Sequence, residues 1–148
     1  MFQAFTAFAA AGFFAAGAVA QSEPNEAGWA IVIHGGAGVI EREAMDAATE
    51  AAYRGALEDA VRAGGQMLDG GADAIDVVEQ VIRTLEDDEK FNAGRGAVFT
   101  SEGRNELDAS IMRGSDAAAG AVAAVTTVRH PITLARRVME QSPHVMLI

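Results

Sequence analysis

The sequence predicts an α+β domain, and three observations carry that reading. Two consecutive segments repeat apolar residues at helical spacing, later segments alternate or run apolar as strands do, and glycines punctuate the joins. At 148 residues, half of them hydrophobic, the chain is long enough for one domain with a sizeable core. A formal net charge of −10 argues against a nucleic-acid binder, which needs clustered Lys and Arg to meet phosphates. The chain has no cysteine, so it builds neither a disulfide framework nor a thiolate metal site.

Residues 1–20 carry no charged side chain and end in Ala18-Val19-Ala20, the small-residue pattern that a signal peptidase reads. They are expected to be a cleaved export signal rather than an anchor, although twenty apolar residues could just span a bilayer. The mature chain then starts near Gln21, with residues 21–28 as a linker, a periplasmic or secreted location, and no stable membrane association after removal. Residues 29–33 form a short apolar run read as a buried strand, ending in His34-Gly35-Gly36-Ala37-Gly38. That loop suits close backbone approach to an anion, an oxyanion or another segment. The phosphate-loop patterns are absent, and Ser115 lacks the flanking residues of a G-x-S-x-G elbow.

Residues 49–69 place Tyr53, Ala56, Leu57, Ala60, Gly64, Met67 and Leu68 at helical spacing, with Gly70-Gly71 as the stop. Asp73 then suits the cap of a second helix, whose stripe is Ala74, Val77, Val78, Val81, Ile82 and Leu85, with Glu79, Gln80 and Arg83 opposite. The two form a helical hairpin expected to cover the sheet.

Next comes the acidic loop Glu86-Asp87-Asp88-Glu89, then Phe91-Asn92-Ala93-Gly94-Arg95-Gly96-Ala97-Val98-Phe99-Thr100. Asn92 is the one side chain in that turn able both to donate and to accept hydrogen bonds. Residues 97–100 and 106–112 read as a β-hairpin around Ser101-Glu102-Gly103-Arg104-Asn105. Leu107, Ala109 and Ile111 then share one face, with Asp108, Ser110 and Met112 on the other. Glu106 and Asp108 lie two apart, which suits a solvated or hydrogen-bonded face better than an acid/base pair.

Residues 119–128 read as a strand buried on both faces. Pro131 opens a third helix through Leu134, Ala135, Val138 and Met139, and Ser142-Pro143 stops it. His34, His130 and His144 show no paired metal-ligand spacing and read as structural. The chain closes on Val145-Met146-Leu147-Ile148, an apolar run unusual as a domain end, so a longer protein is expected.

Four stretches in this order resemble one known family. They are His34 to Gly38, Phe91 to Thr100, Glu106-Leu107-Asp108-Ala109-Ser110-Ile111-Met112, and Met139-Glu140-Gln141-Ser142-Pro143-His144-Val145-Met146. The chain from about Trp29 to Ile148 is similar to the plant-type asparaginases, or isoaspartyl peptidases, of the N-terminal-nucleophile hydrolases. The resemblance implies a four-layer αββα sandwich, of which residues 29–148 are the N-terminal part. It implies a precursor that cuts itself into α and β chains assembled as (αβ)2. The new N-terminal Thr of the β chain, beyond Ile148, then attacks L-asparagine or the β-peptide bond of an isoaspartyl dipeptide, with its own amine as base.

Within this chain, the resemblance implies a sodium ion held by main-chain carbonyls of Leu85, Glu86, Asp88, Phe91, Ala93 and Arg95. Carbonyl oxygens suit a hard cation, although Glu89-Lys90 departs from the Pro-containing loop of some members. Gly35, Gly36 and Asn92 would wall the nucleophile's site. By itself this part is expected to be inactive; the alternative reading is a non-catalytic binding or interaction module.

Overall fold

The computed structural model describes residues 28–36 and 45–148. The expected signal segment, the start of the linker, and Ala37 and Gly38 lie outside those residues. Helices α1 (Ala47–Asp69) and α2 (Ala74–Glu86) are followed by strands β1 (Leu107–Met112) and β2 (Ala119–Val125), helix α3 (Pro131–Gln141) and the two-residue strand β3 (Met146–Leu147). The sheet order is β1-β2-β3, with β1 antiparallel to β2 and β3 parallel to it. A parallel neighbour needs a crossover, and α3 supplies it.

The first layer is α1 against α2. Asp46 caps α1 by accepting from the Thr49 N–H at 2.6 Å, and Glu50 pairs with Arg54 one turn on. At the other end Gly71 takes φ +82° while Ala72 N–H donates back to Met67 O, so the expected glycine stop is present. Ala60, Val77 and Val81 form the buried seam, with Ile31, Ile33, Met67, Leu68 and Leu85 around it.

Residues 29–33 supply Ile31 and Ile33 to this seam, but not as a fully buried strand. Exposure alternates, Val32 is 92 % exposed, and no ladder partner stands beside the segment among the described residues. Asp73 sits at the N-cap of α2, yet its side chain makes no capping bond; its carbonyl accepts from Asp76 and Val77 instead.

The second layer is α3 over β1 and β2. Ile111, Val122, Ile132, Ala135 and Val138 form its core, joined by Ile75 and Ile82 from α2. This corrects the expectation that the α1–α2 hairpin covers the sheet. Helix α2 has two working faces, one of Val77, Val81 and Leu85 toward α1, the other of Ile75, Glu79, Ile82 and Glu86 toward α3. Polar contacts fix the second face. Arg136 reaches Asp76 at 2.6 Å and Glu79 at 2.8 Å, and the Thr133 hydroxyl donates to Glu79 at 2.6 Å.

Strand β1 alternates as expected, with Leu107 and Ile111 buried and Asp108, Ser110 and Met112 exposed. Strand β2 ends at Val125 rather than 128 and also alternates, so it is covered on one face only. A bulge interrupts the ladder, since Leu107 pairs with Val125 but Ala109 with Val122. Ala123 and Ala124 therefore oppose Asp108 alone. Ala124 adopts φ +54°, and its N–H donates to Asp108 Oδ1 at 2.8 Å.

In the β1–β2 turn, Arg113 and the Ala118 N–H bind Asp116, lowering its pKa to about 2. Residues 97–100 form no strand. Their backbone is held by a side chain instead, as Asn105 Nδ2 donates to Ala97 O at 2.7 Å.

Gly120 lets α3 lie directly on β2. A Cβ there would collide with Ala135 O and stand 2.8 Å from Met139 Cβ. We expect Gly120→Ala to force the helix off the strand and cost about 1–3 kcal/mol in urea-melt stability.

Candidate functional site

The turn that follows α2 gathers the polar side chains of interest. Asp87 caps the end of α2, Asp88 accepts from Lys90 N–H at 3.0 Å and Nζ at 2.8 Å, and the chain then dives inward at Phe91. Phe91 is 4 % exposed and meets Tyr53 of α1 edge-on at 5.9 Å, a favourable aromatic geometry. That apolar anchor fixes the turn against α1. Gly94–Gly96 then makes one 3-10 turn, and Asn92 Oδ1 accepts from the Val98 N–H at 2.9 Å. Asn92 thus braces the exit of its own loop.

The two glycines are required by the carbonyls around them. Gly94 has φ +50°, and a Cβ on it would strike Glu86 O. A Cβ on Gly96 would strike Phe91 O and lie 2.6 Å from Glu89 O. Carbonyls of Glu86, Glu89 and Phe91 therefore crowd one turn of backbone. Those of Leu85, Asp88, Phe91 and Ala93 each already accept one N–H, at 2.8–3.2 Å, leaving a second lone pair. Arg95 aims its side chain elsewhere, toward Glu89 at 3.4 Å. Among the described residues no group of three or more His, Asp or Glu side chains could hold a metal. Any cation here would rest on main-chain oxygen.

Beside the turn lies a cleft of about 210 Å³ lined by Glu86, Asn92, Gly94, Glu106, Asp108 and Pro131, among others. Glu86 is the residue that the sequence reading undervalued, giving it only a carbonyl role. Its side chain is 2 % exposed, Oε1 accepts from the Ile132 N–H at 3.0 Å, and Oε2 is buried without a partner. Burial pushes its carboxyl above the ordinary range, against the pull of the Ile132 N–H and of His130. The signal was present: Glu86 follows Ile82 by four residues, which sets both on one helix face.

Neighbouring Asp87 is held below its ordinary pKa by Arg129 and then His130. Asp88 is raised by burial, but the Lys90 side chain and backbone outweigh that and hold it low. Asp108 spends one oxygen on the bulge, in keeping with a hydrogen-bonded face.

The structure brings Asn92 together with the carbonyl loop, but places Gly35 and Gly36 apart from that cleft. Gly35 packs on α1, where a Cβ would come within 3.1 Å of Leu57. Gly36 donates its N–H to His34 Nδ1 at 3.1 Å.

Comparison with known proteins adds the family. The family described as asparaginase matches residues 27–148. An isoaspartyl peptidase of Salmonella typhimurium is 51% identical over 118 residues, which is 80% of this chain and 38% of the relative. An isoaspartyl peptidase of Escherichia coli is 52% identical over 118 residues, covering 80% and 37%. A plant-type L-asparaginase of Pyrococcus abyssi is 46% identical over 119 residues, covering 80% and 37%. The chain therefore spans less than two fifths of the length of these relatives. With the match running from ahead of Trp29 through all three helices and the whole sheet, the chain belongs to the plant-type asparaginase and isoaspartyl peptidase family.

Proposed function

We propose that this chain is the N-terminal part of a hydrolase that releases aspartate from isoaspartyl dipeptides and ammonia from L-asparagine. The observation that carries the reading is the identity of about half over 80% of the chain to two isoaspartyl peptidases. The nucleophile, an N-terminal Thr freed by self-cleavage, lies outside residues 1–148 in this reading. So do the groups that would hold the substrate, and the partner is the β chain of the same precursor in an (αβ)2 assembly. What this chain contributes is a braced wall: Phe91 anchors the turn, Asn92 fixes its exit, and Glu86 ties it to α3. Gly35 and Gly36 belong to the same wall only if the rest of the protein closes the distance.

The whole gene product should release aspartate from a β-aspartyl dipeptide and split at a Gly-Thr bond. Its intact mass reports that cleavage and also whether residues 1–20 have been removed for export. A folded product with no such bond and no hydrolysis would instead favour the non-catalytic binding module.

We also propose a sodium ion at the carbonyl turn. The residues fit it, because crowded carbonyl dipoles repel one another and a cation among them removes that repulsion. When bound, the ion supplies charge only, stiffening the backbone that carries Asn92. Exchanging sodium for tetramethylammonium at equal ionic strength should lower the melting temperature of the whole protein. Equal melting in the two salts would remove the ion from the account.

A further inference from the structure

We propose that a second cleft, between the last turn of α2 and the start of α3, binds a small molecule through a phosphate or carboxylate group. The cleft holds about 410 Å³ and is lined by Arg83, Arg129, His130, Thr133, Leu134 and Arg137, among others. Three of the eleven Lys and Arg residues of a chain with net charge −10 thus meet at one place. A basic cleft in an acidic protein is not what even mixing of charges would produce, and concave walls focus its field.

Only part of that charge is neutralised: Asp87 pairs with Arg129, and Glu79 and Glu86 stand near enough to Arg83 to feel its charge. Asp87 is shared by Arg129 at 2.8 Å and His130 at 3.0 Å. Glu79 is taken by Arg136 and Thr133, and Glu86 Oε1 by the Ile132 N–H. Among the described residues, no carboxylate lies within ion-pair distance of Arg83 or Arg137. Arg83 Nε is moreover buried with no hydrogen-bond partner, a costly state for a charged group.

The start of α3 is not itself the binding element. Pro131 has no N–H, Ile132 donates to Glu86, and Thr133 and Leu134 donate to His130 O. Recognition falls to the guanidinium groups, whose forks donate to two oxygens of one phosphate or carboxylate. A water between Arg83 Nε and Glu86 Oε2 would satisfy those two atoms in place of an anion. The cleft is larger than one phosphate needs, so the group is carried on a small body. The inference does not rest on the hydrolase reading.

The test uses the whole gene product in a buffer free of phosphate and carboxylate. Inorganic phosphate and, separately, succinate are titrated by calorimetry into the wild-type protein and into Arg83→Gln, Arg137→Gln and Arg62→Gln. Arg62 pairs with Asp59 on α1, away from the cleft. One saturable site per chain is expected for at least one probe, and whichever binds identifies the anion class. Arg83→Gln and Arg137→Gln should each weaken it about tenfold, the scale of a charge-assisted hydrogen bond, with Arg62→Gln unchanged. No saturable binding of either probe to folded wild-type protein overturns the proposal. Binding that both cleft variants leave intact does the same, since the anion then sits elsewhere. A loss of melting temperature in the Arg83 variant without any binding assigns Arg83 to the internal water and also overturns it.

Discussion

Glu86→Ala should lower the unfolding free energy of the whole gene product by about 2–4 kcal/mol, read from urea melts. The change strands the Ile132 N–H in a buried place and deletes packed methylene groups. It also uncouples α2 from α3 at the point where the Asn92 turn begins. Glu86→Gln is the informative contrast. The amide oxygen keeps the bond from Ile132, and no buried charge remains to be desolvated. Because the folded carboxyl titrates above its ordinary value of 4.5, the folded state holds its proton longer than the unfolded state does. As pH rises past about 4.5, the unfolded carboxyl ionises freely while the buried one resists. The wild-type protein therefore loses stability through that window that Glu86→Gln retains, and the gap widens up to the folded pKa. If Glu86→Gln were as damaging as Glu86→Ala at neutral pH, the bond to Ile132 would not be what Glu86 supplies.

Residues 28–148 expressed alone should show no hydrolase activity and should associate or melt without a cooperative transition. Phe99, Met112, Val145 and Ile148 stand 71 %, 62 %, 65 % and 95 % exposed. Helix α3 covers one face of a three-stranded sheet, while the opposite face carries Asp108, Ser110 and Met112 to solvent. Strand β3 has two residues, and among the described residues its outer edge has no partner. Covering a large apolar side chain is worth roughly 1.5–3 kcal/mol, so four of them rival the roughly 5–15 kcal/mol that holds an ordinary domain. Supplying the remaining polypeptide of the gene in the same cell should restore solubility. A cooperative, monomeric melt from residues 28–148 alone would instead support a free-standing binding module.

Much of the architecture was legible because the residues that set it act locally. The spacing of Val77, Val81 and Leu85, the Gly70-Gly71 stop and Pro131 at the first position of α3 each encode their own element. The alternation of Leu107 to Met112 encodes the facing of β1. What was missed depends on distant partners. Residues 97–100 look like a strand, but Asn105 occupies the carbonyls of Ala97 and Val98, and the composition of the run does not announce that. That α3 rather than the α1–α2 hairpin covers the sheet was not legible, because the second face of α2 is interrupted by Glu79 and Glu86 and so reads as solvent-facing. Asn92 stood out as the one donor-and-acceptor side chain of its turn, whereas the carbonyl loop was expected only from the family motif. The Glu86 side chain was overlooked because a carboxylate in an apolar stripe is usually a break in the stripe, and here it is a strut.

The bulge at Ala123 and Ala124 fixes a parity. Along an ordinary strand, residues three apart point to opposite sides, yet Val122 and Val125 both pack on the α3 side. The extra residue resets the odd–even count between them, so that Val125 can stand opposite Leu107. Chain length is therefore the encoded quantity there. Deleting Ala124 would leave Val125 two residues after Val122, so strict alternation would keep it facing α3 opposite Leu107, and the strand would lose the bulge together with the bond from the Ala124 N–H to Asp108. A glycine at Ala124 would keep the count and suit its left-handed backbone better.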